Sequence, residues 1–218
     1  FMFAFRLPNL FRRILAEGAI NSVFIPMYLD HNTKSKSETE IFFSIIFISF
    51  LIITMALSFF VFFQTELVIS LLAPGFTKDY LLLENSIFLL KVTFPFLIFV
   101  SLSSLLSSIL NANNNFFIPS LVSVILNLAM IITLLVFKDQ AHIQLAWSIL
   151  LSGCIQLILL FINFKILKIS FHLTLSLTRP LIKIIKIFFI RILQAIVGSG
   201  IVQLNIFVSM IFASLVGG

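Results

Sequence analysis

Residues 92–137 read VTFPFLIFVSLSSLLSSILNANNNFFIPSLVSVILNLAMIITLLVF, 46 residues without an Asp, Glu, Lys or Arg. A helix rises about 1.5 Å per residue, so about 20 residues cross a hydrocarbon core of roughly 30 Å. The run is too long for one crossing and long enough for two. It divides at Asn111-Ala112-Asn113-Asn114-Asn115, because asparagine favours turns and Pro119 suits the first turn of a following helix. The stretch is a transmembrane hairpin.

The same criterion marks 41–65, 140–164 and 192–218. Together the runs predict five full spans near 41–63, 88–110, 117–137, 143–163 and 192–216, with a partial sixth over 1–29. The expected fold class is all-α, a polytopic transmembrane helix bundle. Composition agrees, with 61% hydrophobic and only 10% charged residues, against about 25% charged in a soluble domain. Gly 7, Pro 6 and Cys 1 exclude a collagen-like chain, a disordered one and a disulfide-stapled secreted domain. Cys154, alone in an apolar run, is expected simply to pack.

The net charge of +6 raises nucleic acid as a partner, but no basic stripe interleaves with aromatics, so none is expected. The basic residues sit in alternate connections instead. Lys34, Lys36, Lys165, Lys168, Arg179, Lys183, Lys186 and Arg191 lie on one side, and Lys78, Lys91 and Lys138 on the other. The positive-inside rule places the first set in the cytoplasm. Within it, RPLIKIIKIFFIR (179–191) puts Arg179, Lys183 and Lys186 opposite Ile182, Ile185 and Phe189. That is a basic amphipathic helix suited to anionic headgroups of membrane lipids, or else a solvated positive-inside linker.

No P-loop, nucleophile elbow, zinc-protease motif or paired Cys/His at metal spacing occurs, so neither an enzyme, a metal nor a cofactor is expected. His31, His142 and His172 each stand alone near a loop. The first segment, FMFAFRLPNLFRRILAEGAINSVFIPMY (1–28), is different. It is apolar enough for a membrane yet carries Arg6, Arg12, Arg13 and Glu17. Arg6 and Arg13, seven residues apart, share a helix face, and Arg13 and Glu17 are one turn apart. Ionisable groups in a span are costly and face a bundle interior or water-filled path. Arginine's planar fork contacts phosphate oxygens in pairs, so the cluster suits a diphosphate headgroup. The alternative is that these arginines are cytoplasmic flank residues. Pro8 and Pro26 predict a kinked or locally open helix. The Ser101, Ser104 and Ser108 row, with Ser103 and Ser107, permits close helix approach or lines a hydrophilic path. Asn127, Gln203 and Asn205 call for an interhelical partner, which is favoured for Asn127, or a cavity.

Arg6-Leu7-Pro8-Asn9, Arg12-Arg13, Ala16-Glu17-Gly18-Ala19 and Phe24-Ile25-Pro26 closely resemble the signature of the MurJ/MviN lipid II flippases, in the multidrug/oligosaccharidyl-lipid/polysaccharide exporter superfamily. The likeness continues through Ala73-Pro74-Gly75-Phe76, Thr93-Phe94-Pro95, Ile109-Leu110-Asn111, Phe117-Ile118-Pro119, Leu126-Asn127 and Ile211-Phe212-Ala213-Ser214. Ile20 and Asn21 stand where Phe-Ser is usual, and Asn115 where a basic residue is common.

The resemblance implies a fragment covering the second to seventh of about fourteen helices of a two-lobed exporter-type flippase. Residues 1–164 would belong to the N-terminal lobe, 165–191 would be a basic amphipathic cytoplasmic linker, and 192–218 the first helix of the C-terminal lobe. It further implies alternating-access transport of lipid II from inner to outer leaflet of the bacterial cytoplasmic membrane. Arg12, Arg13 and Asn9 would bind substrate, and Glu17 would gate. Cation coupling is carried by the resemblance alone and attaches to no particular residue. Another exporter of the superfamily and a non-functional membrane remnant are the alternatives.

Overall fold

The computed structural model describes residues 2–14, 20–32, 36–137, 141–167, 169 and 179–216, and among them every regular element is helical. The first segment gives α1 (Met2–Arg12) and α2 (Asn21–Asn32), which contain Pro8 and Pro26 respectively. Backbone at Arg13, Ile14 and Ile20 is π-helical. The departure from regular α-helix thus falls between the two prolines rather than at either.

Next come α3 (Lys36–Phe63) and the short α4 (Thr65–Leu72). A tight turn, Pro74–Lys78, then leads to α5 (Tyr80–Thr93) and α6 (Phe96–Ala112). Several hydroxyls in these apolar helices are satisfied by donating back to their own backbone. Ser44 donates to the Glu40 carbonyl at 2.7 Å, and Thr54 to that of Phe50 at 2.7 Å.

Four stretches of the described residues are long and apolar enough to cross a membrane: 37–63, 80–112, 117–136 and 141–166. The second begins eight residues before the expected position 88. Asp79 caps α5 there, accepting from the Leu81 and Leu82 amides at 2.9 and 3.2 Å. It crosses as two helices joined at Phe94-Pro95. The asparagine turn is as read: Asn114 takes φ 59°, and the Asn115 amide donates to the Leu110 carbonyl at 2.8 Å.

Beyond the turn lie α7 (Phe117–Val136) and α8 (Ala141–Ile166). α6 is the most buried helix, and its small residues explain why. Ser101, Ser103 and Ser108 are buried in packed surface, which supports close approach over a hydrophilic path. Gly153 of α8 meets α6 so tightly that a β-carbon there would lie 2.8 Å from the Phe96 ring.

The last helix, α9 (Arg179–Val216), is continuous, so 179–191 and 192–216 form one rod. Of the three residues expected opposite the basic face, Ile185 and Phe189 pack against the bundle and Ile182 does not. Ile182 is exposed beside Lys183 and Lys186, while Leu181, Phe188 and Ile192 are buried. Lipid accepts Ile182 at no cost, whereas the α2–α3 surface selects the residues that fit it. Phe188 meets Phe42 edge-on at 5.8 Å and Phe24 at 6.3 Å.

Two large apolar clusters result, beside a small third around Phe96, Val100 and Ile149. One joins α2, α3, α6 and α8 to the start of α9 around Phe24, Phe42, Ile46, Leu106 and Phe188. The other joins α1, α3, α4, α5 and α8 to the end of α9 around Leu7, Ile69, Leu90, Phe94 and Met210. α9 is therefore fastened to the preceding helices at two places, and a polar layer lies between.

Candidate substrate cleft

Between α1 and α9 lies a cavity of about 510 Å³. α1 and the residue after it contribute Phe5, Arg6, Asn9, Leu10, Arg12 and Arg13; α9 contributes Gln203, Asn205, Ile206 and Ser209. The expected binding residues Asn9, Arg12 and Arg13 thus share one cleft, with Arg6 beside them. Neighbouring residues of a regular helix diverge by about 100°. Arginine's reach and the wider backbone at Arg13 and Ile14 let Arg12 and Arg13 border one space. Glu17 lies outside the described residues.

Arg12 is held from its own helix. Its Nε donates to Asn9 Oδ1 at 3.1 Å, three residues back. That bond fixes the guanidinium plane through the one nitrogen that is not needed for a two-pronged contact. Three guanidinium groups border the cleft with no carboxylate among the described lining residues. Such a space favours a multiply charged anion.

A second, smaller cavity of about 150 Å³ opens between α1, α6, α7 and α8. Arg12 borders it too, with Phe96, Val100, Val122, Ser123, Leu126, Asn127 and Gln156. Asn127 therefore faces a cavity; the favoured expectation of an interhelical hydrogen bond is not met among the described residues. Gln203 and Asn205 likewise face the larger cleft. Gln156 is absent from that reading, although an amide deep in a charge-free span invites the same question as Asn127. The Gln156 side chain is 1% exposed, and its Oε1 has no hydrogen-bond partner. The Gln203 Oε1 is buried and unpartnered as well.

The described residues form an all-helical membrane bundle with an arginine-lined cleft between α1 and α9, which places the chain among polytopic membrane proteins with a polar site within the bundle. The family model described as lipid II flippase MurJ matches residues 1–218. A probable lipid II flippase MurJ of Buchnera aphidicola (subsp. Schizaphis graminum) is 37% identical, covering 99% of this chain and 42% of the relative. Its counterpart in Rickettsia prowazekii is 34% identical over the same shares, 99% and 42%. A solved structure of lipid II flippase MurJ, inward closed conformation, matches with TM-score 0.78 and 28% identity, covering 97% of this chain and 43% of that one. The chain belongs to the lipid II flippase MurJ family. It spans about two fifths of the length of these curated relatives.

Proposed function

We propose that this chain supplies the substrate-gripping helices of a lipid II flippase. In the bacterial cytoplasmic membrane, such a protein moves the undecaprenyl-diphosphate-linked peptidoglycan precursor from inner to outer leaflet. The observation that carries this is the concentration of Arg6, Arg12 and Arg13 with Asn9, Gln203 and Asn205 around one cleft. A diphosphate entering it exchanges water for charge-assisted hydrogen bonds, while the polyprenyl tail stays in the bilayer. Arg12, Arg13 and Asn9 are the substrate ligands in this proposal, and Glu17 is the gating residue.

Residues 1–164 then belong to one lobe, 192–218 open the second, and 165–191 join them. From Arg179 the joining segment continues unbroken into the helix of the second lobe. Transport follows if the lobes rock about the cleft and the anion binds one arrangement more tightly than the other. Cation coupling is proposed from the family alone.

The experiment uses a full-length chain carrying these residues, in cells depleted of their own flippase. Accessibility of lipid II to a probe confined outside the membrane is the readout, with Arg12→Ala and Arg12→Lys as comparisons. Restored accessibility that both variants abolish supports a fork-dependent anion site. Restoration indifferent to Arg12 removes the site, and no restoration by an inserted protein removes the function.

A further inference from the structure

The cleft between α1 and α9 is divided by helix. Among the described lining residues every cation, Arg6, Arg12 and Arg13, comes from the α1 side, whereas α9 brings the neutral polar groups of Gln203, Asn205 and Ser209. At about 510 Å³ the space is in the range that takes a whole small ligand, about 300–1,000 Å³. Two phosphate groups fill only part of it. Gln203 is the anomaly on the neutral side. It is 9% exposed, and its Oε1 is buried with no hydrogen-bond partner. A phosphate oxygen only accepts hydrogen bonds, so it can engage the Gln203 nitrogen but never that oxygen. A half-turn of the terminal torsion exchanges oxygen and nitrogen, and a hydroxyl, which both donates and accepts, matches either end. A ligand that supplies a donor to a buried acceptor binds better than one that leaves it unmet.

We propose that Gln203 is a specificity-determining residue of the cleft, which reads a hydroxyl-bearing group, a sugar ring, beside the anion that the arginines hold. The ligand class so selected is a glycosylated lipid diphosphate, in preference to one without its sugar. The inference rests on the arginine cleft as the anion site. Charge alone does not make this distinction, because both ligands satisfy the arginines. A site built to bond a hydroxyl discriminates against the analogue that lacks it. With α1 and α9 in different lobes, a ligand carrying both charge and hydroxyls touches both sides, and a ligand carrying charge alone holds only α1. The glycosylated ligand therefore favours the arrangement in which the lobes meet around it, since only differential contact shifts such an equilibrium.

The test titrates purified full-length protein with farnesyl glucosyl diphosphate and farnesyl methyl diphosphate, two diesters of equal charge that differ in the sugar. The wild-type protein is expected to bind the glucosyl diester about three- to tenfold more tightly. Gln203→Leu and Gln203→Met remove the amide and are expected to bring that ratio close to one. A merely structural role would weaken both diesters together and leave the ratio where it was. A wild-type ratio near one, a ratio retained in the variants, or loss of folding in both variants would overturn the assignment. Arg12→Gln tests the underlying reading separately and is expected to weaken both diesters alike. Should it leave both affinities unchanged, the anion-site reading falls, and the ratios of the wild-type protein and the Gln203 variants still decide whether position 203 reads the sugar.

Discussion

The Thr93 hydroxyl lies 2.9 Å from two carbonyl oxygens, that of Leu89 in its own helix and that of Ala4, 89 residues away in α1, and its one proton is shared between them. The reason lies in α1 itself. The Ala4 carbonyl would ordinarily accept from the amide four residues on, but that residue is Pro8, which has none. Ala4 is 1% exposed and Thr93 fully buried, so no solvent replaces the missing donor.

Thr93→Val therefore strands a buried carbonyl and is expected to destabilise the protein by about 1–3 kcal/mol. Thr93→Ser keeps the hydroxyl and should cost less. Pro8→Ala restores the amide to α1, so Thr93→Val should be nearly silent in that background. Thermal unfolding of the four proteins in detergent measures the cycle, and additive shifts would show that the two sites do not communicate.

Gly75 and Ser214 form a second link, at the end of the bundle that the positive-inside rule places outside. The Gly75 amide donates to Ser214 Oγ at 3.3 Å, and a β-carbon on Gly75 would collide with the Ser214 backbone carbonyl. Gly75→Ala should force α9 away from the Pro74–Lys78 turn, at about 1–3 kcal/mol. Ser214→Ala removes only the hydrogen bond, about 0.5–1.5 kcal/mol. Ser214→Gly should fail to rescue Gly75→Ala, since the obstacle is backbone. Rescue would place the collision elsewhere.

Asn9 tests the electrostatics of the cleft. Asn9→Ala releases the Arg12 Nε and should weaken pyrophosphate binding several-fold by freeing the guanidinium plane. Asn9→Asp keeps an acceptor at that point but adds a negative charge to a cleft bordered by three arginines. It should weaken binding more than Asn9→Ala. The reverse order, measured by titration at fixed salt, would mean that geometry outweighs charge here.

Phe188 and Ile182 sit on opposite sides of α9. Phe188 is fully buried against Phe24 and Phe42, and Ile182 is half exposed. Phe188→Ala should cost near the lower end of the roughly 3–5 kcal/mol seen for such truncations. In lipid the lost quantity is packing rather than burial from water. Ile182→Ala should change stability by under about 0.5 kcal/mol. Equal effects would contradict the orientation of this helix.

How much of this was legible beforehand follows from what a periodicity encodes. Charge-free runs located the spans, because bilayer thickness acts on length alone. Arg12 and Asn9 were found through residue type, since arginine in an apolar segment is conspicuous. Periodicity gives a residue's angle about its own axis but not what stands opposite. So Ile182 is grouped with Ile185 and Phe189, which pack while it stays exposed, and Asn127 is given a hydrogen-bond partner that the packing replaces with a cavity. Thr93 went unremarked because its partner is a backbone carbonyl made vacant by a distant proline. Gln156 is one of four amides in the run 140–164, and sequence alone does not say which of them is buried.

The two fastenings of α9 make it a lever. From Phe188 to Ser214 the axis measures about 39 Å at 1.5 Å per residue. With the phenylalanine cluster as pivot, a tilt of about 10° swings the far end by about 7 Å, enough to part Ser214 from Gly75 and admit water to the polar layer. The chemistry that must change is confined to one glycine contact and the Met210 cluster, while the aromatic pivot stays intact. Spin labels at Thr77 and Phe212 would report this swing as a separation of about that size, against no change between labels flanking Phe188. On such a swing the width of the opening would be set by arm length, and the short apolar patch at the far end would control access to a cleft tens of ångströms from the hinge.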